Sequence, residues 1–320
     1  TSELKLNLDS LSNSKFTDID VDGKNIENFT GTIEIPFAVA GPIKIQATNQ
    51  SQKYIPLATT EGALVASVSR GTKAITESGG AIVVIEDSGI TRGPVFKTQN
   101  LTHSHQSKLK IEKSFQAFAL IAQKTSSHLK LKKIETQVFG NHLYMRLSFD
   151  TQDAMGMNMA TFATEEIAKK VEVLTKAKLI SLAGNFDTDK KPAFINFIKG
   201  RGKQAWAETI LSKEIVKNTL KSTPEKIAEV VKRKQHLGSI ASGSMGFNAH
   251  FANIVAAIFI ACGQDPAHVV EGSLGITTAE IDEKGNLQFA IYMPALIVGT
   301  VGGGTHLPAQ NTPLQIPCCK

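Results

Sequence analysis

The chain has 320 residues, of which 42% are hydrophobic and 20% charged, and only 11 are prolines. These values exclude collagen-like, coiled-coil and wholly disordered proteins, whose compositions differ strongly from them. A net charge of +6 suits nucleic acids as well as small polyanionic ligands. The lysines come in short groups without interleaved aromatic residues, so the sequence predicts a small polyanion and no nucleic acid as ligand.

The sequence shows no targeting or membrane-spanning segment. Its start, TSELKLNLDSLS, lacks the apolar centre of a signal peptide, and the longest apolar run, 254–262, is far shorter than the ~20 residues of a membrane span. Cys262, Cys318 and Cys319 form neither a disulfide framework nor a metal-binding spacing. We therefore expect a cytoplasmic protein with no membrane segment in this chain and no metal site.

A regular alternation of elements is predicted between residues 94 and 181. A short β-rich run at Val95 and Phe96 precedes an amphipathic helix over 109–123, and the turn at 140–142 joins the strand-like segments IETQVF and LYMRLSF. A long helix over 153–177 and a last strand, KLISLA, follow. This βαββαβ order is typical of a ferredoxin-like unit with one sheet and two helices.

The flanking sequences, residues 1–93 and 182–320, are predicted to form one larger domain into which the unit at 94–181 is inserted. The clearest elements of the larger domain are an apolar helix over 253–262 and strands over 287–293 and 296–299. The expected fold class is therefore α+β, with two domains, in agreement with the chain length.

Two glycine-containing segments are candidates for binding phosphate groups. Asp153 and Gly156 stand at the start of the predicted long helix, where Asp153 would be the N-cap and Gly156 would leave room for a ligand. A capped core helix is the alternative. The segment 299–305 follows an apolar strand and has the backbone freedom to surround a pyrophosphate, although a flexible turn explains it equally well.

Three ionisable residues stand among small or apolar residues: Glu61 in LATTEGALVAS, Lys190 in NFDTDKKPAFINF and Asp265 after IVAAIFIACGQ. Ionisable groups held against apolar walls are typical of sites for proton transfer and oxyanion stabilisation. A helix cap or a surface turn is the alternative for each of them. The pattern indicates candidate catalytic groups without specifying the reaction.

Several long segments together resemble the catalytic part of the 3-hydroxy-3-methylglutaryl-coenzyme A (HMG-CoA) reductases, in the order of that family. They are ENFTGTIEIPFAVAGPI, ATTEGALVASVSRGTKAI, GITRGPV, DAMGMNMAT, GNFDTDKKPAFINFIKGRGK, GSMGFNAHFANIV, ACGQDPAH and IVGTVGGGTHLPAQ, and they cover most of residues 27–310. DAMGMN and DKKPAFIN are similar to the first class of the family rather than to its second, bacterial class.

The resemblance implies a fold, a reaction and partners. It implies a large domain for the CoA thioester, an inserted small domain for the nicotinamide cofactor, and a homodimer or higher even oligomer with shared active sites. The implied reaction is the reductive deacylation of (S)-HMG-CoA to mevalonate and CoA with two NAD(P)H, in the mevalonate pathway of isoprenoid biosynthesis.

The resemblance also implies roles for individual residues. Glu61 is the expected catalytic acid, Lys190 the cation that stabilises the oxyanion, and Asp265 the carboxylate that links them. The residues that match substrate- or CoA-binding positions are Glu27, Asn28, Ser67, Arg70, Arg92, Lys191 and Asn253. Those that match cofactor-binding positions are Ser126, Ser127, Asp153, Met155, Gly156, Met157, Asn158, Gly302, Gly303 and Gly304.

The sequence departs from the family pattern in two places. NADPH-specific members have Ser-Arg-Phe where this chain has Ser126-Ser127-His128, so a guanidinium for the 2′-phosphate is missing. We expect NADPH as cofactor, with NADH possible. The family also continues into a tail that carries a catalytic histidine, whereas this sequence ends in QNTPLQIPCCK.

Two alternatives to the biosynthetic reductase remain open at this point. One is an NAD-dependent enzyme that acts in mevalonate breakdown, and cofactor preference would separate it from the reductase. The other is a catalytically impaired fragment that binds CoA and the dinucleotide, an alternative that rests on the short C-terminus.

Overall fold

The computed structural model describes residues 25–29, 32–46 and 52–316. Three predictions concern residues outside these ranges: the absence of a signal peptide at 1–12, the assignment of 1–24 to the larger domain, and the statement that Cys318 and Cys319 take part in no disulfide framework or metal site. Among the helices of the described ranges, none is long and apolar enough to cross a membrane.

The chain divides into two compact units. The first consists of the described residues up to Ile85, of Ala205–Pro294, and of the described residues from Thr300 onward. The second consists of Glu86–Gln204 and Ala295–Gly299. The functional domain boundaries derived from the sequence, with residues 94–181 inserted between 1–93 and 182–320, stay a prediction.

The described N-terminal part of the first unit is a β-hairpin followed by a helix. Its elements are β1 (Phe37–Lys44), β2 (Gln52–Ala58), α1 (Leu64–Glu77) and β3 (Ile82–Arg92), whose last residues belong to the second unit. Strands β1 and β2 pair antiparallel. Leu64 and Val68 of α1 pack with Leu57 of β2, because residues four apart lie on one face of a helix.

The second unit follows the βαββαβ order that the sequence predicts, except that its first helix is divided into two. Its elements are β4 (Val95–Lys97), α2 (Leu101–Glu112), α3 (Phe115–Thr125), β5 (Lys130–Phe139), β6 (His142–Asp150), α4 (Met157–Thr175), β7 (Lys178–Ser181) and α5 (Ile195–Lys199). Strand β4 pairs antiparallel with β6 and with β7, and β5 pairs antiparallel with β6. Among these four strands the order is therefore β7-β4-β6-β5, and the end of β3, Ile90–Arg92, also pairs antiparallel with β6.

Strand β6 carries the centre of the core of the second unit. Its alternate residues Leu143, Met145, Leu147 and Phe149 are all buried, because side chains two apart point to the same face of a strand. They belong to one apolar cluster with residues of α3 and α4, among them Ile167. The two helices are thus held on the sheet by burial of apolar surface.

Two predictions about helices are wrong. The single helix expected over 109–123 is two helices, α2 and α3, because the side chain of Ser114 donates to the carbonyl of Lys110 at 2.7 Å and interrupts the regular pattern. The helix expected to start at Asp153 starts at Met157, and its N-cap is Gly156, in a left-handed conformation with φ 81°. Asp153 is therefore not the N-cap.

The remaining elements lie mainly in the first unit. They are β8 (Gly202–Leu211), α6 (Lys213–Asn218), α7 (Pro224–Val230), a π-helical segment (Val231–Gly238), α8 (Ser239–Ser242), β9 (Gly246–Phe247), α9 (Phe251–Ala261), a 3₁₀ turn (Pro266–His268), α10 (Val269–Gly272), β10 (Gly275–Ile281), β11 (Leu287–Leu296), a second 3₁₀ turn (Gly303–His306) and α11 (Pro308–Gln315). Helix α9 is the apolar helix that the sequence predicts.

The strand predicted over 287–293 is the main part of β11, which continues to Leu296, whereas residues 297–299 of the strand predicted over 296–299 lie outside any strand. Residues 287–292 pair antiparallel with β10. Pro294 lies beyond these paired residues, so its missing N–H does not interrupt that ladder.

A buried ion pair in the second unit gives a stability prediction. Arg146 is 2% exposed and donates to Glu135 at 3.0 Å, while Lys199 also contacts this carboxylate. Burial opposes ionisation of Glu135, but the hydrogen bonds from Lys199 and Arg146 hold its pKa below the ordinary value. The stabilisation is therefore present above the ordinary glutamate pKa, about 4.3, and is lost as the pH falls through the lower folded-state value.

We expect Glu135→Gln to lower the free energy of unfolding by about 2 to 3 kcal/mol at neutral pH, because it leaves a buried guanidinium without its carboxylate. Urea denaturation measures the change, which should shrink below pH 4. Glu166→Gln is the matched control, since Glu166 pairs with Lys169 on the surface, where solvent screens the charges, and it should change the free energy of unfolding far less. Equal losses in the two variants would contradict the prediction.

Candidate active site

Glu61 precedes α1 in a segment that turns into the helix. Its N–H donates to Thr59 Oγ1 at 3.0 Å, and Ala63 has a left-handed φ of 66° directly before the helix begins. The Glu61 side chain is exposed. The expectation that Glu61 lies against apolar walls is therefore wrong, because Leu64 and its neighbours on α1 turn towards the core while Glu61 stands before the first turn.

Asn253 on α9 holds the carboxylate of Glu61. Asn253 Nδ2 donates to Glu61 Oε1 at 3.1 Å. The sequence suggested only a substrate or CoA contact for Asn253, but this hydrogen bond also lets it orient the Glu61 side chain. It fixes one oxygen of the expected acid and leaves the other carboxylate oxygen for other groups.

Asp265 stands at the N-terminus of the 3₁₀ turn that follows α9. Its Oδ1 accepts a hydrogen bond from the N–H of Ala267 at 3.0 Å, as an N-cap does. The side chain is half-buried. The alternative that Asp265 is a cap and the prediction that it is a catalytic group are thus compatible, because Oδ2 is not used by this cap.

Lys190 lies in a strained loop of the second unit. Asn185, Thr188 and Lys190 all have positive φ angles, of 64°, 62° and 54°, although none is glycine. Such residues cost on the order of 1 kcal/mol each and occur where the surroundings fix them. The Thr188 hydroxyl donates to Oδ1 of the fully buried Asn196 at 3.0 Å, which is one of the contacts that hold the loop.

The side chain of Lys190 is exposed, so the expectation of apolar surroundings is wrong for this residue as well. Its neighbours in sequence do not enclose it, since Lys191 is also exposed and donates to the backbone carbonyl of Asp189 at 3.0 Å. Around this loop, charged side chains from arginine and aspartate residues contact each other.

Two arginines bind the carboxylates of this loop. Arg201, fully buried, donates to Asp189 Oδ1 at 3.0 Å. Arg92 Nη1 lies 3.5 Å from a carboxylate oxygen of Asp187 and of Asp189. Burial raises the pKa of Asp187, and Arg92 and Arg201 oppose that shift. Arg92, expected to contact substrate, therefore also anchors the segment that carries Lys190.

The other expected substrate and CoA residues lie on exposed parts of the first unit. Ser67 and Arg70 are exposed and three residues apart on α1, so they share one face of that helix. Glu27 and Asn28 are exposed in the short described segment 25–29, where Asn28 has a φ of 56°. The structure thus leaves all four accessible to a ligand.

The N-terminus of α4 forms a candidate dinucleotide site in the second unit. The helix has 19 residues, and Gly156 provides no side chain to cap its free N–H groups. The glycine is required by its left-handed φ and because a Cβ there would collide with Thr151. Gly299 packs closely against the backbone of Met155. Asp153 and Asn158 are exposed beside this terminus, and Met157 is its first helical residue.

The segment Ser126–His128 lies beside this helix terminus. Ser126 Oγ is 3.5 Å from Met159 Sδ in the first turn of α4, and His128 Nδ1 is 3.0 Å from Gln152 Oε1. Ser127 is exposed. Two segments that the sequence suggested separately as cofactor contacts are thus neighbours in space.

The glycine segment of the first unit is an ordered turn. Gly302 and Gly303 have positive φ angles of 79° and 57°, and nothing lies within 4 Å of the position of a Cβ on either. Gly304 packs against the carbonyl of Gly263. The backbone of Gly302 and Gly303 is therefore open to a ligand, as the sequence suggested.

Sequence reasoning missed four charged residues near the predicted ones: Asp187, Arg201, His268 and Glu271. Asp187 and Arg201 lie within the GNFDTDKKPAFINFIKGRGK segment, and both are buried. His268 and Glu271 follow Asp265 at intervals of three residues and are buried too. The signal that could have found the second pair was this spacing of Asp265, His268 and Glu271, which places three ionisable side chains on one helical face.

The model of the family described as "Hydroxymethylglutaryl-coenzyme A reductase" matches residues 2–320. The chain belongs to the HMG-CoA reductase family. This membership confirms the resemblance seen in the sequence, and it makes the chain an NAD(P)H-dependent oxidoreductase by family.

Archaeal HMG-CoA reductases are similar to the chain over most of its length. The reductase of Pyrococcus abyssi is 48% identical over 297 residues, which are 92% of this chain and 73% of that protein. The reductase of Haloferax volcanii is 46% identical over 292 residues, which are 91% of this chain and 72% of that protein.

A solved structure with the same fold is the class II HMG-CoA reductase of Streptococcus pneumoniae bound to NADPH in open conformations. It has a TM-score of 0.73 at 18% identity, and the match covers 91% of this chain and 80% of that chain. This likeness shows a mixed fold of helices and strands shared with HMG-CoA reductases.

Proposed function

We propose that this protein reduces HMG-CoA to mevalonate and CoA with two molecules of a reduced nicotinamide dinucleotide, as a step of the mevalonate pathway. The observation that carries the proposal is the match to the reductase family over residues 2–320. Mevalonate breakdown is not favoured, since the similar proteins named above are reductases.

Within the fold, we assign the CoA thioester to the larger domain and the dinucleotide to the inserted ferredoxin-like domain at 94–181. The support for the dinucleotide is the second unit's long helix α4, whose uncapped N-terminus offers N–H groups to a phosphate. Ser126, Ser127, Asp153, Met155, Gly156, Met157 and Asn158 would surround this group. Gly302, Gly303 and Gly304 would contribute backbone contacts.

The reaction assigns one task to each expected catalytic residue. Bound dinucleotides would supply two hydrides in turn to the substrate carbonyl carbon. Between the two additions the C–S bond would break, so that CoA leaves as a thiolate that takes a proton from solvent, and an aldehyde remains for the second hydride. The Lys190 ammonium would stabilise the negative charge that develops on the carbonyl oxygen. Glu61, held by Asn253, would donate the proton that completes the alcohol. Asp265 would hydrogen-bond to these groups and couple their protonation. This chemistry needs no metal ion.

The direct test is an assay with HMG-CoA in which the absorbance of the reduced dinucleotide is followed and mevalonate and CoA are quantified. We expect two dinucleotides oxidised for each mevalonate formed. A folded protein that binds HMG-CoA without oxidising either dinucleotide would support the alternative of a binding protein and contradict the proposal.

We expect the enzyme to use NADPH with weak discrimination against NADH. Ser127 and His128 offer hydrogen bonds to a 2′-phosphate but no permanent charge. The ratio of kcat/KM for the two dinucleotides should therefore stay below about 1000, which corresponds to roughly 4 kcal/mol. A larger ratio would mean that another basic residue binds the phosphate.

A substitution in the same segment sharpens this prediction. Ser127→Arg should raise the preference for NADPH about tenfold, because a guanidinium binds a phosphate with two hydrogen bonds. Thr102→Arg adds the same charge at an exposed position of α2 and should leave the ratio unchanged. Equal ratios in the two variants would place the 2′-phosphate elsewhere.

For the assembly, we propose a homodimer or a higher even oligomer with shared active sites. The support is the run Ile82–Ile85 of β3, four consecutive apolar residues of which all are exposed, since contiguous apolar surface marks interaction sites. Ile85→Glu should lower the molar mass in light scattering to that of a smaller species. Val173→Glu is the matched control, because Val173 and Ile85 are both 65% exposed. An unchanged mass for Ile85→Glu would exclude this surface.

A further inference from the structure

Asp265, His268 and Glu271 form a row of ionisable side chains directly after α9. Asp265 precedes the 3₁₀ turn, His268 ends it, and Glu271 lies in α10. Side chains three residues apart are eclipsed in a 3₁₀ turn and are neighbours in an α-helix. The spacing of the three residues therefore stacks them along one face.

Two members of this row are buried and the third reaches the surface. His268 is 1% exposed and Glu271 0% exposed, whereas Asp265 is half-buried. His268 Nδ1 lies 3.4 Å from Glu271 Oε2, and His268 Nε2 lies 3.8 Å from Asp265 Oδ2. The imidazole thus stands between a fully buried carboxylate and the carboxylate expected in the reaction.

The contact with Glu271 sets the orientation of the ring. A carboxylate accepts hydrogen bonds, so the proton of this pair lies on Nδ1 of His268. Nε2 then points towards Asp265. This atom is buried and has no hydrogen-bond partner among the described residues, a state that destabilises a protein.

A purely structural role explains this arrangement poorly. Apolar side chains of similar volume fill a core at least as well as a buried His–Glu pair. The cap on Asp265 uses Oδ1, which accepts from the N–H of Ala267. Oδ2 is the oxygen that faces His268, so the ring and the cap act on different oxygens of the same carboxyl group.

We propose that His268 is a positioning residue for the carboxyl group of Asp265 and that Glu271 holds His268 in place. The inference rests on the proposed function, in which Asp265 acts at the reacting carbonyl. A hydrogen bond to the Asp265 carboxylate requires a proton on Nε2 as well, so in this role His268 is an imidazolium that donates from Nδ1 to Glu271 and from Nε2 to Asp265. A movement of about 1 Å brings Nε2 within hydrogen-bond distance of Oδ2. With both oxygens held, Asp265 keeps one orientation during the reaction.

The expected effect of removing the imidazole is on the chemical step. His268→Leu should lower kcat about 10- to 100-fold. Without the imidazole the Asp265 carboxyl group can move, and a misplacement of a reacting group by about 1 Å can slow the chemical step by up to about 100-fold. The KM values for HMG-CoA and the dinucleotide should stay within about threefold, since His268 contacts neither in the proposal. His268→Gln should recover most of kcat, because its amide reaches the position of Nε2 and bonds Asp265.

A double-mutant cycle separates positioning from loss of stability. Asp265→Asn should lower kcat, and adding His268→Leu to it should cause no further loss, because the imidazole then has no carboxylate to position. His236→Leu is the matched control. It removes another imidazole of the first unit, which contacts the carbonyl of Thr277 at 2.7 Å, and should lower stability without changing kcat.

If His268→Leu fails to fold, Glu271→Gln carries the test. The glutamine keeps an oxygen that accepts from Nδ1 of His268 but lacks the negative charge of the carboxylate. Glu271→Gln should therefore lower kcat by a smaller factor than expected for His268→Leu, with the KM values unchanged. A wild-type kcat in folded His268→Leu, or multiplicative losses in the double mutant, would overturn the positioning role while the proposed function stands. Wild-type protein without turnover of HMG-CoA would instead overturn the proposed function, and this inference with it.

Discussion

Lys190→Met should lower kcat for HMG-CoA by at least about 100-fold, the scale for losing one group that stabilises an oxyanion. Methionine keeps a linear side chain, one atom shorter than that of lysine, and the unbranched Cβ, so the positive φ of 54° at this position is strained to the same degree. Because the ammonium acts on charge that develops in the transition state, KM for HMG-CoA should change little. Steady-state kinetics with mass-spectrometric detection of mevalonate measure both quantities.

Lys217→Met is the control for this substitution. Lys217 is exposed near the end of α6 in the first unit, and its loss should leave kcat unchanged. Mevaldehyde is a useful second substrate, because its carbonyl oxygen becomes negative in the same way and Lys190→Met should slow its reduction too. A near wild-type rate on both substrates would refute the assignment of Lys190.

Glu61→Gln should lower kcat by about 10²- to 10⁴-fold, the usual contribution of a general acid. Glutamine retains an oxygen that accepts from Asn253 Nδ2, which lies 3.1 Å from Glu61 Oε1, so the substitution removes the proton and preserves the contact. Equilibrium binding measurements with HMG-CoA should show nearly the same affinity for Glu61→Gln as for the wild-type protein. The loss should therefore appear in the chemical step alone.

Two further variants test this interpretation of Glu61. Glu280→Gln changes an exposed carboxylate of β10 and should have no effect on kcat. Asn253→Ala frees the Glu61 carboxylate and should lower kcat by a smaller factor than Glu61→Gln does. If Asn253→Ala slowed the reaction more than Glu61→Gln, Asn253 rather than Glu61 would be the more important group.

Periodicity was sufficient to predict the order of strands and helices in the second unit, apart from the division of its first helix into two. The alternation of Leu143, Met145 and Leu147 identifies β6 as a strand with one apolar face, because side chains two apart must share a face. The ends of elements were predicted less well. Residue Ser114 divides one predicted helix by a side-chain bond to the backbone, and such local competition leaves little trace in the hydrophobic pattern.

The candidate site, like the fold, was predicted from the sequence only in part. The resemblance of long segments was enough to select Glu61, Lys190 and Asp265 and to suggest a reaction. It could not give their surroundings, and the expectation of apolar walls around Glu61 and Lys190 is wrong. Exposure of a side chain depends on which residues distant in sequence pack over it, which local composition does not specify.

By itself, the sequence determined the family, the βαββαβ order and the residue types available for the reaction, because these follow from local pattern and motif. Only the tertiary structure decided which side chains meet. It placed Asn253 on Glu61, although 192 positions separate them in the chain, and Arg201 on Asp189, beside Lys190. Contacts of this kind depend on how helices and strands pack, since each hydrogen bond requires partners within about 3 Å whatever their distance along the chain.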